Sequence, residues 1–124
     1  MQKITLEELL CHDAAIEAGG GPRGIKNEFL LISALKNPFA TAFGEDLYPT
    51  DELKIAMTVY SLINNHGFED ANKRTGILVL KYLLEYNDID IIATDDEYIQ
   101  LALDIATIYD KYDIENWINN HKIK

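Results

Sequence analysis

Apolar residues recur along this chain at three- and four-residue intervals, the spacing of helices with one buried face. Leu6, Leu9, Leu10 and Ile16 predict a first helix over about 6–18, opened by a Thr5–Glu8 capping box and closed by Gly19, Gly20, Gly21, Pro22 and Gly24. Leu30, Leu31, Ala34 and Leu35 predict a second helix ending before Pro38. The stretch 37–50 holds Pro38, Gly44 and Pro49 and reads as a loop whose centre, 42–48, forms a short hairpin or flap. Thr50, Asp51 and Glu52 open a third helix striped by Leu53, Ala56, Met57, Tyr60 and Ile63, which stops at Asn64 and Asn65.

The run Ile77–Leu84 is apolar on nearly every side, which predicts the central helix of a bundle, ended by Asn87 and Asp88. Residues 90–93 read as briefly extended. A second capping box, Thr94–Glu97, precedes Tyr98, Leu101, Ala102, Ile105 and Ile108. Asp113 is the expected cap of a last helix carrying Ile114, Trp117 and Ile118. The expected fold is all-α, about six helices around one central apolar helix with a possible β flap, in a single domain over 1–124.

Charge narrows the functions open to such a bundle. The chain carries 21 acidic against 11 basic residues, a formal net charge of -10. A field of that sign repels nucleic acid, so no direct nucleic-acid partner is expected. No apolar run is long enough to cross a membrane, and the N-terminal residues lack the apolar core of a signal peptide. With one cysteine, Cys11, no internal disulfide forms, and a cytoplasmic setting is expected.

Against that acidic background one stretch stands out: HGFEDANKRTG, residues 66–76. It joins an imidazole, two carboxylates and two adjacent cations to the start of the apolar helix. The first turn of a helix presents unpaired N–H groups and the positive end of the macrodipole, so cations are unfavourable there unless an anion is held. Lys73 and Arg74 by themselves make an ordinary surface pair, and a lone histidine at a helix end is more often a cap than a base. The combination points to phosphate binding beside a proton acceptor.

His66, Phe68, Asp70, Ala71, Asn72, Lys73, Arg74 and Thr75 resemble the H-x-F-x-D-A-N-K-R-T signature of the Doc (death-on-curing) branch of the Fic/Doc superfamily. The segment EELLCHDAAI, residues 7–16, followed by glycines, is similar to the first helix of Doc proteins. The resemblance implies the all-helical Fic fold. It also implies His66 as the general base on an acceptor hydroxyl and Asp70 as a ligand of Mg²⁺. Ala71, Asn72, Lys73, Arg74 and Thr75 would bind the phosphates of ATP, and Phe68 would anchor the loop.

Two departures from the broader pattern H-P-F-x-x-G-N-G-R-x-x-R bear on the reaction. Lys73 stands where adenylylating members carry glycine, and Ile77 where they carry a final arginine. Both are Doc-like and imply a Ser/Thr kinase-type transfer of the γ-phosphate to a threonine of a translation factor, elongation factor Tu, which blocks protein synthesis. The alternatives are nucleotidyl transfer (AMPylation) to a protein hydroxyl, or a catalytically idle module that binds a partner. The self-inhibitory pattern [S/T]-x-x-x-E-[G/N] is absent; Thr41–Glu45 approaches it, but Asp46 follows. The resemblance therefore implies a toxin silenced by a separate Phd-like antitoxin.

The flap near 40–49 is the expected docking surface for the acceptor. His12 is expected to pack at a helix junction and Arg23 to be a solvated loop residue. Tyr60, Tyr82, Tyr86, Tyr98 and Tyr109 are expected at the core or its boundary.

Overall fold

The computed structural model describes residues 1–9, 28–65 and 72–123. The expected end of the first helix, the glycine break, Cys11, His12 and Arg23 lie outside those residues. The start of the first helix, α1, is described over residues 6–9. Its capping box is formed: the Thr5 N–H donates to Glu8 Oε1 and the Glu8 N–H to Thr5 Oγ1, each at 3.1 Å.

Helix α2 spans Glu28–Lys36 and passes into a 3-10 turn, Asn37–Phe39, with Pro38 in its opening positions. The flap is a hairpin of β1 (Thr41–Ala42) and β2 (Glu45–Asp46), antiparallel with Thr41 opposite Asp46 and Ala42 opposite Glu45. Its two turn residues, Phe43 and Gly44, have φ of 55° and 80°. Positive φ at both central positions is the geometry that lets a two-residue turn match strand twist.

Helix α3 (Asp51–Asn64) begins at Thr50, whose hydroxyl accepts from the Leu53 N–H at 3.0 Å and donates to Glu115 at 2.8 Å. Helix α4 spans Asn72–Tyr86 and stops at Asp88, which takes φ of 56°. Helix α5 spans Asp95–Thr107, with the Thr94–Glu97 box complete. Helix α6 spans Lys111–His121. Its cap is Asp110, not Asp113: Asp110 accepts from the Tyr112 and Asp113 N–H groups, while the Asp113 carboxylate reaches back to the Asp110 N–H. Asp113 is thus the N3 partner of the box, in the first turn, and the helix starts three residues earlier than its apolar stripe suggests.

The core is built from Leu31, Ile55, Val59, Leu62, Val79, Leu80, Leu83, Leu101, Ile105, Ile114 and Ile118, joined by Leu9 of α1. Burying each such side chain stabilises the fold by about 1.5–3 kcal/mol. The helix at the centre is α3 rather than α4. Helix α3 packs against α2, the 3-10 turn, α4, α5 and α6. Helix α4 buries Val79, Leu80, Leu83 and Leu84 but leaves Ile77, Leu78 and Tyr82 half-buried. Its all-round apolar character therefore serves a groove as well as the core.

Two close approaches fix α4 and the C-terminal segment. A Cβ on Gly76 would lie 2.4 Å from Ile63 Cγ1, so glycine is what lets α4 lie against the end of α3. The segment after α6 returns to residues 90–92. The Ile92 N–H donates to the His121 carbonyl and the Ile123 N–H to the Asp90 carbonyl, each at 3.0 Å. Lys122 pairs with Glu52 on α3.

Candidate functional site

Helix α4 opens with Asn72, Lys73, Arg74 and Thr75, and no acidic residue stands in its first turn. Lys73 and Arg74 are exposed and Asn72 is half-buried. Two cations thus project from a helix end whose dipole opposes them, which favours a bound anion. Thr75 is fully buried, and its hydroxyl has no hydrogen-bond partner among the described residues. A buried hydroxyl without a partner carries an uncompensated desolvation penalty. His66, Phe68, Asp70 and Ala71 lie outside the described residues, so the structure brings together the second half of the signature only.

The approach to residues 66–71 is held by the end of α3. The Asn64 side-chain amide donates to the carbonyls of Tyr60 and Ile105, both at 3.1 Å, tying α3 to α5. The Asn65 N–H donates to the Ser61 carbonyl at 2.8 Å. In sequence Asn64 reads as a helix stop; its second role, bracing one helix on another, depends on a residue 41 positions away.

Lys73 and Arg74 also border a groove of about 650 Å³ between α4 and α5. Its floor is apolar, formed by Ile77 and Leu78 on one side and Ile99, Ala102 and Leu103 on the other. The Lys81 ammonium lies 4.4 Å from the centre of the Tyr98 ring. Burial pushes the Tyr98 hydroxyl pKa up, with further contributions from Asp95 and Glu97. The tyrosine therefore stays neutral across the physiological range. Ile77, at the position of the missing arginine, supplies apolar wall here and no charge.

Among the described residues no group of three or more His, Cys, Asp or Glu side chains converges as a metal site. No described helix is long and apolar enough to cross a membrane.

A family model described as "Fic/DOC family" matches residues 3–84. The chain belongs to the Fic/DOC family. Within the curated proteins, "Toxin Doc" of Mycolicibacterium smegmatis (strain ATCC 700084 / mc(2)155) is 33% identical, over 73% of each chain. The Doc resemblance read from the signature is thereby borne out, and the helical model agrees with the expected fold class. The Fic/DOC match takes in the whole signature and ends inside α4, so α5 and α6 lie beyond it. One wall of the groove beside Lys73 and Arg74 is thus built from residues outside the matched Fic/DOC segment.

The Fic/DOC motif does not signal two further side chains. One is Lys81, whose place in the groove follows from helical spacing after Arg74. The other is Lys54, a lysine in the first half of α3 that is almost fully buried. Its position between Leu53 and Ile55 gives no warning of this.

Proposed function

We propose that this chain is a Doc-type toxin that transfers the γ-phosphate of ATP to a threonine hydroxyl of a protein acceptor, elongation factor Tu, and so blocks translation. The observation that carries this reading is the pair of exposed cations, Lys73 and Arg74, on the first turn of α4. Lys73 supplies a point charge and Arg74 a planar fork, both suited to phosphate oxygens. The orphaned Thr75 hydroxyl lies in the same turn. Nothing cationic stands one turn on at Ile77, which favours a pose in which the terminal phosphate is the group passed on.

In this mechanism His66 removes the proton from the acceptor hydroxyl as its oxygen attacks the γ-phosphorus. The bond from that phosphorus to the β–γ bridging oxygen breaks, and ADP leaves with the electron pair. Lys73 and Arg74 stabilise the charge on the phosphates, and the main task of the site is positioning. Asp70 with phosphate oxygens would hold Mg²⁺, in keeping with an ion that usually takes one or two protein carboxylates and leaves other positions to phosphate and water. The hairpin Thr41–Asp46 is the docking edge for the acceptor. A Phd-like antitoxin would restrain the activity, since the internal inhibitory pattern is absent.

The test is incubation with purified elongation factor Tu, Mg²⁺ and ATP labelled at either the α- or the γ-phosphate. Label from the γ position alone, with the mass of one phosphate on a threonine, is expected; His66→Ala should abolish it while leaving the helical circular dichroism intact. Label from the α position would instead assign nucleotidyl transfer, and absence of both would leave a partner-binding module.

A further inference from the structure

The buried lysine of α3 has no part in that chemistry, yet its ammonium makes specific contacts. Lys54 Nζ lies 3.1 Å from Asp46 Oδ2 and donates to the Tyr48 carbonyl. Both acceptors belong to the hairpin or the residues leaving it. A lysine charge is rarely buried unless it is paired and hydrogen-bonded. Here the pairing is directed across an element boundary, from the central helix to the flap.

The hairpin has little else to hold it. Its ladder is two residues long on each side, and a lone hairpin is marginal in water. Thr41, Phe43, Gly44, Glu45, Asp46 and Leu47 are exposed, and Ala42 is only half-buried. Phe43 at the tip is fully exposed and packs on none of the described residues. The Leu47 N–H closes the base on the Ala40 carbonyl at 3.0 Å, and Lys111 lies 5.9 Å from the Tyr48 ring centre. Among the described residues, the Lys54 ammonium ties the hairpin to α3.

We propose that Lys54 is a positioning residue for the acceptor: it latches the docking hairpin to the helix whose far end leads to the phosphate-binding turn. This rests on the reading that the hairpin docks the acceptor. The partners are unequal. Asp46 is half-exposed and finds water when the lysine is removed, whereas Lys54 is buried and does not when Asp46 is removed. Lys54→Met, which fills the same channel without charge, should therefore loosen the hairpin without unfolding the chain.

The experiment measures steady-state transfer to elongation factor Tu, and amide exchange at Leu47, in the full chain and in Lys54→Met and Lys54→Arg. Loss of a charge-assisted bond predicts about a tenfold rise in KM for the acceptor and a similar rise in Leu47 exchange for Lys54→Met. The KM for ATP and kcat at saturating acceptor should stay within about twofold, since Lys54 has no assigned part in phosphate binding or proton removal. Lys54→Arg should recover part of both losses. An unchanged acceptor KM, or a kcat or ATP KM that changes as much as the acceptor KM, overturns the proposal. If the intact chain transfers nothing to the acceptor, the functional reading fails separately; Leu47 exchange then decides the latch, and unaltered protection in Lys54→Met refutes it.

Discussion

Replacing Gly76 by alanine would test how tightly α4 is seated against α3. Alanine is the better helix former by about 0.8–1 kcal/mol, so a surface glycine would gain from the change. Gly76 is buried, and an added Cβ would meet Ile63 Cγ1 at 2.4 Å and Cδ1 at 2.8 Å. Carbon atoms settle about 3.5–4.0 Å apart, so one helix must retreat by about 1 Å or Ile63 must leave its rotamer. Overpacking of this kind costs about 1–3 kcal/mol. The nearer atom is the inner carbon of Ile63, which moves only if the whole β-branched side chain turns about χ1, so the upper half of that range applies. The expected net loss is about 1–2 kcal/mol, read as a lower urea midpoint with unchanged slope.

The control lies in the partner. Ile63→Val keeps a Cγ1 and should not relieve the clash. Ile63→Ala removes both offending atoms; alone it should cost about 2–5 kcal/mol, and in the double variant the new methyl should refill part of the hole. A favourable coupling of about 1–3 kcal/mol is expected from the cycle. A neutral Gly76→Ala, or additive losses in Gly76→Ala with Ile63→Ala, would refute the argument that glycine is required by helix contact.

Thr75→Val removes a buried hydroxyl that has no partner among the described residues, at constant shape, and should raise stability by about 1 kcal/mol in urea titration; a loss of stability would mean the hydroxyl is satisfied after all. Lys73→Gly should lose γ-phosphate transfer and shift any residual labelling toward the α-phosphate, read by parallel labelled assays; undiminished γ transfer would remove Lys73 from the account of pose. The Glu52 pKa is held below the ordinary value of 4.5, chiefly by its hydrogen bond from Lys122. That contribution is present above the unfolded carboxylate pKa and is lost as pH falls through the lower folded value. Thermal melts should therefore drop below about pH 4.5, and Lys122→Met should flatten that part of the profile.

Local chemistry made much of this legible. The Thr5–Glu8 and Thr94–Glu97 boxes are complete within four residues and were formed as read. The hairpin followed from glycine and proline placement around residues 38–49. What failed needed tertiary knowledge. Two aspartates three apart, Asp110 and Asp113, both suit a helix start, and the apolar stripe alone favoured the wrong one. The apolar run 77–84 pointed to the centre of the bundle because periodicity cannot tell core from groove. Lys54 interrupts an apolar stretch and reads as a polar face until the hairpin folds over it. The signature identified the family from residue types alone, and Asn72 to Thr75 occupy the helix start it required.

Helix α3 gives the molecule a fixed ruler. From Lys54 under the hairpin to Asn64, which leads toward the start of α4, is ten residues, about 15 Å along a helix axis. One added or deleted residue would swing one end by about 100° relative to the other. Most of that rod is buried on all but a narrow side. The reach between the two ends is therefore not adjustable by small insertions, and under the proposed function variation in acceptor is confined to the hairpin tip.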